Sequence, residues 1–137
     1  MITLWNAQLE EIFVHARQAA PFECCGLIGG ANARATSIHP LRNVASNPQV
    51  AYEAAPEELF AAQRQMREHG EQLLAVYHSH PRSTEPEPSE TDVRLAYYPA
   101  ATYLIIGLGG SKPIMRGFRI SERDKTWQQV EYAVADG

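Results

Sequence analysis

Residues 78 to 92 read His-Ser-His-Pro-Arg-Ser-Thr-Glu-Pro-Glu-Pro-Ser-Glu-Thr-Asp. Two imidazoles stand two residues apart, a proline-rich loop follows, and then come a serine and an aspartate three residues apart. In an extended segment alternate side chains share a face, so His78 and His80 point one way and Ser79 the other. Two imidazoles on one side can chelate one ion at roughly 2.0–2.1 Å each, and a catalytic zinc site takes three N or O ligands plus a water. Pro81 stops strand pairing from continuing, which sets the pair at a sheet edge or end. The loop from Arg82 to Pro88 carries two prolines and is stiff enough to return the chain. Asp92, in the first turn of the helix that follows, completes a His2Asp set.

Taken apart, these pieces are ordinary. A His-x-His pair is often only a surface pair, and Ser89-Glu90-Thr91-Asp92 is a helix N-cap with an acidic third position. The whole string, His-x-His-Pro, seven residues, then Ser-x-x-Asp, is far more specific. Three protein ligands leave a fourth place for water, whose pKa zinc brings toward about 7. Such a site also needs a general base, a carboxylate outside the ligand set that stays free to take a proton.

The elements that position these groups follow from the apolar pattern. Leu4, Leu9, Ile12, Phe13 and Ala16 recur at helical spacing over residues 4–19, with an end before Pro21. Cys24 to Ile28 reads as a short buried strand turned by Gly29-Gly30, and Arg34 to Leu41 as a second strand. Asn43 to Pro48 is a polar loop, and Tyr52 to Ala54 a short strand. Pro56, Glu57 and Glu58 open a helix that Gly70 stops. Leu73 to Tyr77 is a strand rich in β-favouring residues that runs into His78. A third helix spans Ser89 to Tyr97. Strands follow at 102–108, 114–120 and 127–134, the last two as antiparallel neighbours. The order predicts an α+β fold, an α/β/α-like sandwich of one mixed sheet flanked by about three helices, with residues 1–137 as a single domain.

Pro21-Phe22-Glu23-Cys24-Cys25-Gly26-Leu27-Ile28-Gly29-Gly30, then Tyr77-His78-Ser79-His80-Pro81 and Ser89-x-x-Asp92, resembles the JAMM (MPN+) zinc metalloproteases. The match runs through nearly the whole chain and implies the MPN/JAMM (cytidine-deaminase-like) fold. It implies one zinc ion held by His78, His80 and Asp92. Glu23 would hold the water and shuttle its proton to the leaving amine, and Ser89 would donate to the oxyanion. Only the resemblance promotes Glu23; on composition alone it is a solvated loop carboxylate. Cys24 and Cys25 read as small buried strand residues rather than nucleophiles. His15, His39 and His69 fall on helix or loop surfaces without partners at ligand spacing.

A formal net charge of -4, with 12 basic against 16 acidic residues, argues against a nucleic-acid partner. No apolar run is long enough for a membrane span, and the N-terminus lacks a secretory pattern. Adjacent cysteines rarely pair with each other, so a reducing, cytoplasmic setting is expected. The chain resembles compact, stand-alone prokaryotic members of the family. Those resemble enzymes that trim or release a ubiquitin-like or sulfur-carrier protein with a Gly-Gly tail, laid along a strand edge. Two other readings stand beside this one: a zinc hydrolase of the same fold acting on a small-molecule or cell-wall amide, and a non-catalytic MPN scaffold, which the full ligand set opposes.

Overall fold

A computed structural model describes residues 1–136. The chain runs β1 (Thr3–Trp5), α1 (Asn6–Ala19), β2 (Cys25–Ala31), β3 (Arg34–Leu41), α2 (Pro56–Glu68), β4 (Gln72–His80), α3 (Glu90–Arg94), β5 (Thr102–Gly107), β6 (Ile114–Ser121), β7 (Thr126–Val130) and β8 (Ala133–Ala135). The strands form one eight-stranded sheet in the order β7-β6-β5-β4-β2-β3-β1-β8. β4 and β5 are parallel, as are β1 with β3 and with β8, while the remaining pairs are antiparallel. The expected mixed sheet with three helices is present. Only Glu131 and Tyr132 separate β7 from β8, although these strands lie at opposite ends of the order. Two residues reach only about 10 Å when extended, so the sheet must curl on itself.

Alternation along the central strands sorts the core into two layers. Ala75 and Tyr77 of β4, with Leu104 and Ile106 of β5, pack on one face with Ile12 and Ala16 of α1. Val76, Tyr103 and Ile105 point the other way, to Ala62 and Met66 of α2. The alternation continues to the end of β4, placing His78 and His80 on the α2 face and Ser79 on the α1 face. Gly26 is needed where β2 crosses β4, because a Cβ there would overlap the Tyr77 ring.

Several boundaries differ from the sequence expectation. Leu4 lies on β1 rather than in the first helix, fully buried. Gly29 and Gly30 stay within β2, pairing with β3 and β4 at a register shift; the turn falls at Asn32 and Ala33, both at positive φ. Tyr52 to Ala54 forms only an isolated bridge, Asn43 to Ala54. The third helix stops at Arg94, because the next residues are drawn into packing. Ala96 is buried, and the Tyr98 N–H donates to the Tyr103 hydroxyl at 3.1 Å, so tertiary contacts override helix propensity. The expected 127–134 strand divides into β7 and β8, on opposite edges of the sheet order.

Candidate metal centre

The C-terminal end of β4 supplies both imidazoles. Next to them, β2 begins with Cys25 paired to His78, which brings the preceding Glu23 alongside. The loop after β4 is held down at Ser83, whose N–H donates to the His80 carbonyl at 3.0 Å and whose carbonyl accepts from Gly109 N–H at 2.8 Å. That docking returns the chain to the first turn of α3. Ser89 caps this helix: its Oγ accepts from Asp92 N–H at 3.0 Å, and its own N–H donates to Asp92 Oδ2 at 2.9 Å. The cap fixes the aspartate's rotamer.

Three ligand atoms result in one place. His78 Nε2 lies 3.2 Å from His80 Nε2, and Asp92 Oδ2 lies 3.0 Å from each. Tetrahedral donors around zinc stand roughly 3.3 Å apart at the usual bond lengths, so this triangle fits an ion of that size. Donor atoms of Glu23, His78 and His80 also lie within 4.8 Å of one another. The two triads share both imidazoles, and Asp92 Oδ2 stands 3.0 Å from each Nε2. His78 is fully buried, and Glu23 and Asp92 are each 5% exposed.

The electrostatics separate the two carboxyl groups. Burial alone would raise Asp92, but the His78 charge, hydrogen bonds from both imidazoles and the Ser89 N–H hold it well below the usual range. It is the anion of the cluster. His80 is raised; burial opposes this, but the hydrogen bond to Asp92, its charge and that of Glu23 prevail. Glu23 is pushed up to about 8, chiefly by burial, with His80 opposing and Asp92 adding to the shift. Glu23 Oε1 and His78 Nδ1 are buried without a hydrogen-bond partner.

Each expected site residue is at this place, including Glu23, which composition alone would have put in solvent. Cys24 and Cys25 are buried and free. Burial pushes their thiols up to about 11 and about 12; hydrogen bonding, to Ser79 first, opposes the shift at Cys24, and neighbouring charges add to it at Cys25. His39 and His69 lie outside the site, as expected. His15 is also outside it, with the Tyr77 hydroxyl 2.7 Å from its Nδ1. Sequence reasoning missed Tyr52, whose ring stacks on His78 with centroids 4.4 Å apart, and the polar contacts made by Asn43. Nothing in the spacing of these residues marked them. The open side of the cluster is a cleft lined by Glu23, Gln49, Val50, His80, Arg82 and Ser89.

Residues 6–121 match the family described as prokaryotic homologs of the JAB domain. The chain is 41% identical to the desampylase of Haloferax volcanii, covering 74% of this chain and 76% of that one. It is 36% identical to a probable TtuB-protein conjugate cleaving protease of Thermus thermophilus (78% and 70% covered). It is 35% identical to the CysO-cysteine peptidase of Mycobacterium bovis (85% and 80%). Among solved structures, a protein from Desulfitobacterium hafniense superposes with a TM-score of 0.86 at 37% identity, covering 100% of this chain and 94% of that one. A JAB1/MPN domain protein from Archaeoglobus fulgidus shares the fold, with a TM-score of 0.62 at 18% identity over 98% and 97% of the two chains.

Proposed function

From the premise that this chain belongs to the prokaryotic JAB family of JAMM/MPN metalloproteases, we propose that it is a zinc-dependent peptidase. Its substrate is a ubiquitin-like or sulfur-carrier protein, cut at a peptide or isopeptide bond at the carrier's C-terminus. The observation that carries this reading is the triangle of two Nε2 atoms and one Oδ2, with a separate buried carboxyl beside it.

His78, His80 and Asp92 would hold one zinc ion. Asp92 is preferred to Glu23 as third ligand because its Oδ2 is 3.0 Å from both imidazoles and it is held ionised. Bound there, zinc would supply Lewis acidity, drawing the pKa of a water toward about 7 and polarising a carbonyl oxygen. Glu23 is uncommitted at Oε1; once the charge of a bound ion had drawn its carboxyl down from about 8, it would accept the proton of the attacking water and pass it to the departing amine. Ser89 Oγ already accepts from Asp92 N–H, so its own O–H is free to donate to the carbonyl oxygen as charge develops there. Both cysteines are buried with their thiols raised, so in this reading neither is the nucleophile and the attack falls to water.

The relatives' names support the substrate class: a desampylase, a conjugate cleaving protease and a CysO-cysteine peptidase. A Gly-Gly tail suits the cleft because it carries no side chain to collide with the metal's surroundings. Residues 1–137 act as one domain in this reading, since the sheet draws on strands from Thr3 to Ala135. The two free cysteines fit a reducing cytoplasm. Among the described residues no helix is long and apolar enough to cross a membrane.

The test is cleavage of a carrier protein extended beyond its Gly-Gly. Release of the extension, abolished by chelator and restored by zinc, is expected. Hydrolysis of cell-wall peptides or small amides, with the carrier left intact, would overturn the substrate class.

A further inference from the structure

The peptide group joining Glu23 to Cys24 is held at both of its polar atoms by side chains. The Glu23 carbonyl accepts from Asn43 Nδ2 at 3.0 Å. The Cys24 N–H donates to Ser79 Oγ at 2.8 Å. The main chain is tied on either side as well: Glu23 N–H donates to the Pro48 carbonyl at 2.7 Å, and Ser79 N–H to the Cys24 carbonyl at 3.2 Å.

Asn43 uses its whole hydrogen-bonding capacity here. Its second Nδ2 hydrogen goes to the Ala51 carbonyl, and its Oδ1 accepts from Ala45 and Glu53 N–H, each at 3.0 Å. The loop after β3 is thereby tied to the Glu23 carbonyl through one side chain. Ser79 is fully buried and lies between His78 and His80 in β4. One hydroxyl therefore registers the Glu23 segment against the strand that carries both imidazoles.

The Glu23 side chain has no comparable restraint, since its Oε1 has no hydrogen-bond partner. The direction of the carboxyl must come from its backbone and its packing. We propose that Asn43 and Ser79 are positioning residues that clamp the Glu23–Cys24 peptide plane from opposite sides and so aim the Glu23 carboxyl at the point faced by His78 and His80. This rests on the role assigned to Glu23 above.

The clamp is tested with Asn43→Asp, Ser79→Ala and Ser79→Thr. Asn43→Asp keeps an acceptor for Ala45 and Glu53 N–H but puts an oxygen where the donor to Glu23 was. Ser79→Ala removes the acceptor for Cys24 N–H, and Ser79→Thr restores a hydroxyl. Turnover is measured per bound zinc, well below the melting temperature, on the extended carrier. The first two variants are each expected to lower kcat about tenfold or more, since small misplacements of a reacting group carry such penalties. KM and zinc content should change less than twofold, and Ser79→Thr should recover most of kcat. The double variant should fall no further than the slower single one, because either loss already frees the plane. A lowered melting temperature with kcat per zinc unchanged would make both residues merely structural and overturn the proposal.

Amide hydrogen exchange on the metal-free protein reads the clamp without any substrate. Cys24 N–H should lose protection in Asn43→Asp as well as in Ser79→Ala, although Asn43 does not touch that amide. Full protection of Cys24 in Asn43→Asp would overturn the clamp. If the wild-type protein cleaves no carrier at all, the proposed substrate fails, while exchange still decides the clamp.

Discussion

Replacing Glu23 by Gln should separate stability from catalysis, with opposite signs. In the metal-free fold the carboxyl titrates at about 8 instead of 4.5. Between those values the folded protein keeps a proton that the unfolded chain has released. Stability therefore falls as pH rises from 4.5 to 8. At about 1.36 kcal/mol per unit, the shift costs the fold at most about 5 kcal/mol once pH passes 8. Gln carries no charge to bury, so Glu23→Gln removes this loss at high pH. Its amide hydrogens are left unpaired at every pH, a cost of about 1–3 kcal/mol. The two stability curves should cross. Below pH 4.5 the variant is the weaker by about 1–3 kcal/mol, and above pH 8 the stronger by about 2–4 kcal/mol. For a chain of this size about 1 kcal/mol moves the melting temperature by about 3 °C. Thermal unfolding in chelator, from pH 4 to pH 9, reads the crossing directly. The zinc-loaded variant should keep its metal and lose about 10²–10⁴-fold in kcat, the usual contribution of a positioned general base. Parallel stability curves for the two proteins would refute the burial argument, and loss of zinc from the variant would refute the separation of base from ligands.

His78→Ala should lose metal and turnover together while the protein stays folded, since two apolar layers already supply the core; circular dichroism and metal analysis check this. A variant that fails to fold would recast the metal as structural. Ser89→Ala removes a helix cap worth about 1 kcal/mol and a candidate oxyanion donor worth about 10²–10³ in kcat. A kcat within twofold of the wild type would assign Ser89 to the cap alone.

Much of the site could be read from the sequence because its parts are local. His78 and His80 share a face through strand alternation alone, and Ser89 with Asp92 follows from helix capping. Both are rules of neighbouring residues. Glu23 comes from a segment 55 residues away from His78 in the chain, and only the pairing of β2 with β4 brings it in. No local rule could have placed it, and the family resemblance did. Asn43 and Tyr52 sit in a loop whose purpose appears only once Glu23 and His78 are in place. In the fold, the strands that enter the core were legible from apolar runs. The departures lie where tertiary packing decides. Leu4 reads as the start of a helical stripe until β8 offers β1 a partner, and β8 itself cannot be separated from β7 without knowing that the sheet curls.

The central claim is that His78, His80 and Asp92 grip one ion while Glu23 does not. Diffraction from zinc-loaded crystals at wavelengths on either side of the zinc absorption edge tests it most directly. One anomalous peak per chain is expected, bonded to the two Nε2 atoms and Asp92 Oδ2, with the Glu23 carboxyl outside bonding distance. A peak bonded to Glu23 in place of Asp92, or no peak between the two imidazoles, would contradict the account.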